Sequence, residues 1–148
     1  MRNIKKIIGR VSLVMLATLF LVSFTKDKNK VSDFSEKTLS EKIVAGKQIY
    51  IKTCLMCHQA NGAGIANAFP PLAKSDYLNA DVNRAISTVL YGKTGNIVVN
   101  GSKYNSVMTP QNLTDEEVAN VLTYVYNSWG NNKTNVKVSL IKEVKKND

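Results

Sequence analysis

Apolar residues recur at helical spacing in three stretches of the chain, separated by polar or glycine-rich segments. Leu39, Ile43, Gly46 and Tyr50 share one face of a helix predicted from Leu39 to near Lys52, opened by the capping-box pair Thr38 and Glu41. Gly46 in its middle costs about 1 kcal/mol against alanine. The compensation expected is a close approach by another helix. Val82, Ile86, Val89 and Leu90 form a second stripe, capped by Asn79 or Asp81 and stopped by Gly92 at the C′ position. Val118, Val121, Leu122, Val125 and Trp129 form a third, with Tyr124 on its flank. Its start at Thr114 is marked by the staple Leu113/Val118 and the capping box Thr114/Glu117, and Gly130 ends it. Between the second and third stripes, residues 97–104 read as a small hairpin around Asn100-Gly101. The fold class is therefore all-α, with that hairpin as its only β element.

The flanks differ from this central part. Arg2, Lys5, Lys6 and Arg10 precede an uncharged, largely apolar run from Val11 to Phe24, the form of a secretory signal. The run is short for a spanning helix, which needs about twenty apolar residues. Residues 1–25 are therefore a cleaved signal peptide, with Ser23 and Thr25 at the small-residue positions, or an uncleaved membrane anchor. Residues 26–38 are a polar linker, 39–130 one domain, and 131–148 a basic tail without clear period, expected to be flexible. The tail is either inert or touches an anionic membrane or partner.

The chemistry concentrates in Cys54-Leu55-Met56-Cys57-His58, which holds both cysteines and the one histidine of the chain. A thioredoxin-like redox pair would need a βαβ setting, and a structural zinc site four Cys or His ligands. Neither is present in the sequence. Cys-x-x-Cys-His is the attachment pattern of a c-type haem. Cysteine sulfurs one helical turn apart can each add to a vinyl group of one porphyrin edge, and His58 then stands beneath the iron as proximal ligand. One such motif implies one haem c, held by two thioethers. Pro70-Pro71 marks an extended segment that leaves carbonyls free. A ligating histidine normally donates its other ring N–H to such a group. The Pro70 carbonyl is the candidate; the alternative is a simple loop turn.

Charge adds little. The formal net charge is +9, and loss of residues 1–25 would remove four basic residues and no acidic one. A basic surface favours acidic redox partners or simply keeps the protein soluble. Scattered lysines in an exported chain argue against nucleic acid.

Over residues 39–130 the chain resembles a class I c-type cytochrome, on the helix with Gly46 and Tyr50, the CLMCH motif, the Pro70–Leu72 segment, the Met108 loop, and the helix with Val121 and Tyr124. The stretches FPPLAKSDYL, IVVNGSKYNSVMTP and LTDEEVANVLTYV are similar to bacterial monohaem domains that accompany respiratory oxidases, copper nitrite reductases and quinoprotein dehydrogenases. The resemblance implies three to five helices around one covalently bound haem, and a first helix crossing the last with glycine packed against an aromatic. Thr109 separates Met108 from Pro110, where the family often has proline directly after the methionine. Beyond the targeting segment, Met56 and Met108 are the candidate sixth ligands; Met56 is locked between the haem-bearing cysteines, which leaves Met108. A core methionine is the alternative. A His/Met iron has no open position, so the expected role is an electron carrier in a bacterial respiratory chain rather than an enzyme. It would work in the periplasm, or anchored facing it, with redox proteins as partners and no small-molecule substrate. The rivals are an electron-transfer subunit of an exported dehydrogenase, reductase or oxidase, and a sensor or peroxidase with an exchangeable site.

Overall fold

The computed structural model describes residues 37–147. The targeting segment 1–25 and most of the linker 26–38 lie outside them. Within them the chain forms α1 (Leu39–Thr53), α2 (Leu55–His58), α3 (Asp76–Ala80), α4 (Val82–Tyr91), β1 (Ile97–Val99), β2 (Ser102–Tyr104), α5 (Asp115–Tyr126) and α6 (Val138–Asn147). The described helices number six: the three predicted stripes form α1, α4 and α5, and α2, α3 and α6 are additional, in the expected all-α fold with one small hairpin.

Helix starts follow the sequence signals closely. Thr38 and Glu41 form a reciprocal capping box, as do Thr114 and Glu117. Asp81, not Asn79, caps α4, accepting from the amides of Asn83 at 2.9 Å and Arg84 at 3.1 Å. Asn79 instead accepts from the Asn132 amide at 3.0 Å, so it ties α3 to the segment after Gly130. The hairpin forms in the expected register, Ile97 opposite Tyr104 and Val99 opposite Ser102, with Asn100 and Gly101 both at positive φ in its turn.

α1 packs chiefly on α5. Gly46 makes this possible: a Cβ there would lie 2.0 Å from the Asn120 carbonyl oxygen and 2.8 Å from Tyr124 Cβ. The buried stripe of α1 runs through Lys42, Gly46 and Tyr50, and Leu39 is exposed. A lysine can hold this place because its alkyl stem packs while its ammonium reaches a polar group, here Asn135 Oδ1 at 3.3 Å. Tyr50, Tyr124 and Trp129 meet ring to ring, with centroids 5.2–5.5 Å apart.

Two expectations need correction. α5 ends at Tyr126, not at Gly130, because Asn127 donates to the Thr123 and Thr134 carbonyls and turns the chain there. Trp129 therefore packs on the core from a turn rather than from the helix face. The segment 131–148 is no flexible tail over its described length. Val136 and Ile141 are fully buried, Val144 nearly so, and α6 packs against α4 and α5. The Thr123 hydroxyl accepts from the Val136 amide at 3.0 Å, which fastens the segment to α5. Three apolar residues among its lysines suffice, because Val136, Ile141 and Val144 join the same core cluster as residues of α4 and α5.

Candidate functional site

The site begins where α1 gives way to α2. Cys54 closes α1 and opens the single turn α2, and the His58 amide bonds the Cys54 carbonyl at 2.9 Å. That turn brings Cys54, Cys57 and His58 to the wall of one cavity, with about 1300 Å³ of empty space including its mouth. Met56, between the cysteines, is 82% exposed and does not line it. Neither cysteine is engaged in a disulfide. Burial pushes the Cys54 thiol pKa up, against the hydrogen bond with Thr53.

His58 is buried, and its Nδ1 lies 3.0 Å from the Pro70 carbonyl oxygen. A carbonyl only accepts, so the bond requires the proton on Nδ1 and leaves the lone pair on Nε2. Burial holds the imidazole pKa below its ordinary value, partly countered by the Pro70 carbonyl. The ring is thus kept in its neutral, ligating form. The loop that presents Pro70 is closed on itself: Ile65 and Phe69 exchange hydrogen bonds, and the amides of Leu72 and Ala73 both donate to the Gly62 carbonyl. Proline has no N–H and the loop no ladder at this point, so the Pro70 carbonyl is available to His58.

Met108 lines the same cavity, from a segment 50 residues along the chain from His58. Its backbone is clamped to the residue after Gly92: Lys93 N donates to Met108 O at 2.8 Å, and Met108 N to Lys93 O at 2.9 Å. Gln111 N bonds Val89 O at 2.9 Å, holding the far side of the loop to α4. The five residues singled out in the sequence, Cys54, Cys57, His58, Pro70 and Met108, therefore surround one space.

Sequence reasoning missed other walls. The hairpin, read as scaffold, supplies Ile97, Val99 and Tyr104; α3 and α4 supply Leu78, Arg84 and Val89; α5 supplies Leu122 and Val125. No local pattern marks such residues, since each is brought to the cavity by tertiary packing. Arg84 carried one signal, being the single arginine after Arg10 in a lysine-rich chain.

The residues fit a haem. The exposed wall surface is mostly apolar, as a flat apolar ring requires. Two thiols stand on one wall, a neutral imidazole beside them, and a thioether on a separate segment. Arg84 Nε is buried without a hydrogen-bond partner, so the cavity also has a place for an anionic group.

Comparison with known proteins points the same way. The cytochrome c family model matches residues 43–129. Cytochrome c-552 of Thermus thermophilus is 45% identical over 93 residues, covering 60% of this chain and 70% of that one. The cytochrome c subunit of the quinone alcohol dehydrogenase of Gluconobacter oxydans is 32% identical over 92 residues, 60% of this chain but 19% of the subunit. The fructose dehydrogenase cytochrome subunit of Gluconobacter japonicus is 29% identical over 122 residues, 79% of this chain and 25% of the subunit. The matched span, the helical fold with its small hairpin, and the Cys-x-x-Cys-His turn on an apolar cavity establish that the chain belongs to the cytochrome c family, as a class I electron-transfer cytochrome with covalently bound haem c.

Proposed function

We propose that the protein is an exported electron carrier of a bacterial respiratory chain, with His58 and Met108 as the two axial ligands of its haem iron. The observation that carries this reading is the convergence of His58, fixed by Pro70, and Met108, clamped by Lys93, on one cavity. When bound, haem c supplies a one-electron iron centre, whose ferrous form a thioether ligand favours, raising its potential. Cys54 and Cys57 hold the ring by thioethers. The Pro70 carbonyl fixes the imidazole tautomer and makes the ligand more basic. The clamp fixes the backbone from which the Met108 side chain would reach the iron. With His58 and Met108 both engaged, the iron would keep no open position for substrate; this supports a carrier rather than an enzyme. Export rests on the basic and apolar segment 1–25. Among the described residues no helix is long and apolar enough to cross a membrane, so any anchoring would fall to that segment.

A second reading, a subunit of an exported dehydrogenase complex, is favoured by the names of the Gluconobacter relatives. A reductase or oxidase complex is a further variant of it. In either case the partner is a redox protein. Co-purification with a dehydrogenase subunit from membranes of the source organism would establish it; recovery as a free monomer would favour the carrier.

The ligand assignment is tested on ferric holoprotein. The wild type should show the weak red absorption of sulfur-bound iron and bind CO poorly when reduced. Met108→Ala should lose the band and bind CO; Met108→His should stay six-coordinate with a lower potential. Met56→Leu, the control, should change neither. Retention of the red band in Met108→Ala would overturn the assignment.

A further inference from the structure

The hairpin differs from the rest of the cavity wall in how it is held. Val99 and Tyr104 are buried and, with Ile97, line the cavity, while Val98 and Lys103 are exposed. With three residues to a strand it is too short to be stable alone. The helix it chiefly meets is α3, and there the fastening is polar. The Asp76 amide donates to Asn100 Oδ1 at 3.0 Å, and the Asn100 amide donates to Asp76 Oδ1 at 2.7 Å. These reciprocal bonds join the tip of the hairpin to the first residue of α3. Both residues are exposed, so water can replace either partner at small cost.

Both connections to the hairpin are loosely packed. On one side run Thr94, Gly95 and Asn96, all exposed; Gly95 has φ +79°, and a Cβ there would meet nothing within 4 Å. On the other run Asn105, Ser106 and Val107, also exposed, with a tie from the Ser106 hydroxyl to the Ala68 carbonyl at 2.5 Å. Beyond these connections the chain is fixed again, by the paired backbone bonds between Lys93 and Met108. A small amphipathic unit thus sits between two loose connections, over a fixed base, with a polar catch at its far end. Segments with few buried contacts and exposed hydrogen bonds are those that open locally, below the free energy of global unfolding.

We propose that residues 97–104 are a gate on the haem cavity, with Asp76 and Asn100 as its latch and 94–96 and 105–107 as its hinges. Released at the tip, the hairpin swings away with Ile97, Val99 and Tyr104 and uncovers the apolar interior, while the Met108 backbone stays clamped to Lys93. The gate is a size filter on what can reach the iron. Diatomic molecules pass between side chains, whereas a ring such as imidazole needs the hairpin to lift.

The inference requires bound haem but not the Met108 assignment. The test uses full-length ferric holoprotein carrying Met108→Ala. Each latch variant is compared with that parent, so whatever else must leave the iron is common to both. Failure of the Met108 assignment would show separately, as a Met108→Ala spectrum like that of the wild type. Asn100→Gly keeps the positive φ of the turn and removes the acceptor of the Asp76 amide. It should speed imidazole binding about fivefold, the worth of one such bond, with the ferrous CO rate changed little. Asp76→Ala, which removes the other acceptor, should match it. Asp76→Asn, which keeps an oxygen at that place, should stay near the parent. Should a variant not mature with Met108→Ala, hydrogen exchange in otherwise wild-type holoprotein decides. Residues 97–104 should exchange faster than α5, and Asn100→Gly should accelerate the hairpin alone. Equal imidazole rates in parent and Asn100→Gly, CO binding accelerated as much as imidazole, or exchange that rises together in the hairpin and α5 would each overturn the proposal.

Discussion

Gly92 lies directly against Met108. A Cβ on Gly92 would be 2.5 Å from the Met108 carbonyl oxygen and 2.9 Å from Pro110 Cδ, and Gly92 adopts φ +81°. The glycine that ends α4 is therefore also the seat of the methionine loop. The two hydrogen bonds between Lys93 and Met108 require the backbones to come this close.

Gly92→Ala should consequently act on the haem spectrum more than on the helix it terminates. The substitution adds both a strain of about 1–3 kcal/mol, since φ +81° with ψ −175° is a conformation essentially reserved for glycine, and a clash with backbone that cannot swing aside. We expect the ferric red absorption to weaken and ferrous CO binding to rise, with the haem still covalently attached. Wild-type CO affinity in the Gly92→Ala variant would show that the loop does not depend on this contact.

Gly46→Ala tests the crossing of α1 and α5. The nearest atom to the new methyl group would be the Asn120 carbonyl oxygen, at 2.0 Å, again backbone rather than a movable side chain. Overpacking typically costs about 1–3 kcal/mol. Gly46→Leu should cost more, and displace Tyr124 from its contacts with Tyr50 and Trp129. The check is the melting temperature of holoprotein together with its near-ultraviolet circular dichroism. Equal melting points for wild type and Gly46→Leu would contradict the packing described.

Much of this arrangement was legible in the residues. Gly46 announced a close approach because a mid-helix glycine needs a reason. The Pro70 carbonyl could be named as the partner of His58 because a proline pair frees carbonyls. The capping boxes at Thr38 and Thr114 are local chemistry and read directly. What escaped was non-local. Gly92 looked like an ordinary helix stop, since nothing near it in sequence reveals the Met108 loop above it. Asn127 ended α5 early through a bond to Thr134, a contact made only after the chain turns back. The last segment was obscured by its five lysines, which mask Val136, Ile141 and Val144 until α4 and α5 give them a surface.

That last segment should therefore contribute strongly to stability. α6 lies outside the span matched by the cytochrome c family, residues 43–129, yet Ile141 has no exposed surface. Ile141→Ala should cost about 2–5 kcal/mol, the usual range for such a truncation in a packed core. Ile141→Val should cost about 0.5–1.5 kcal/mol. Lys145→Ala removes an exposed pairing with Asp115 and should change little. Urea titration of the three variants gives the ordering. An Ile141→Ala protein as stable as the wild type would return the segment to the status of a loose tail.

The alkaline limit of stability should carry a contribution from Tyr126. Its hydroxyl donates to the Leu78 carbonyl at 2.8 Å, linking α5 to α3 in the core. Burial pushes its pKa up to about 12 from the ordinary 10, the nearby Asp81 adds to the rise, and Arg84 opposes it. Because the folded value lies above the unfolded one, the folded state holds the phenolic proton more tightly. The resulting stability is complete below about pH 10 and is lost as pH climbs from 10 towards 12. Tyr126→Phe removes the hydroxyl and leaves the Leu78 carbonyl without this donor. It should cost about 1 kcal/mol at neutral pH, the typical worth of such a bond. It should also flatten the decline above about pH 10, so the two proteins converge in stability as the solution becomes alkaline. Tyr50, whose pKa burial also raises, keeps part of the slope in both. Urea unfolding at about pH 7, 10 and 11 measures the difference directly. A gap between wild type and Tyr126→Phe that stays constant over this range would mean that the phenol is not protected by the fold.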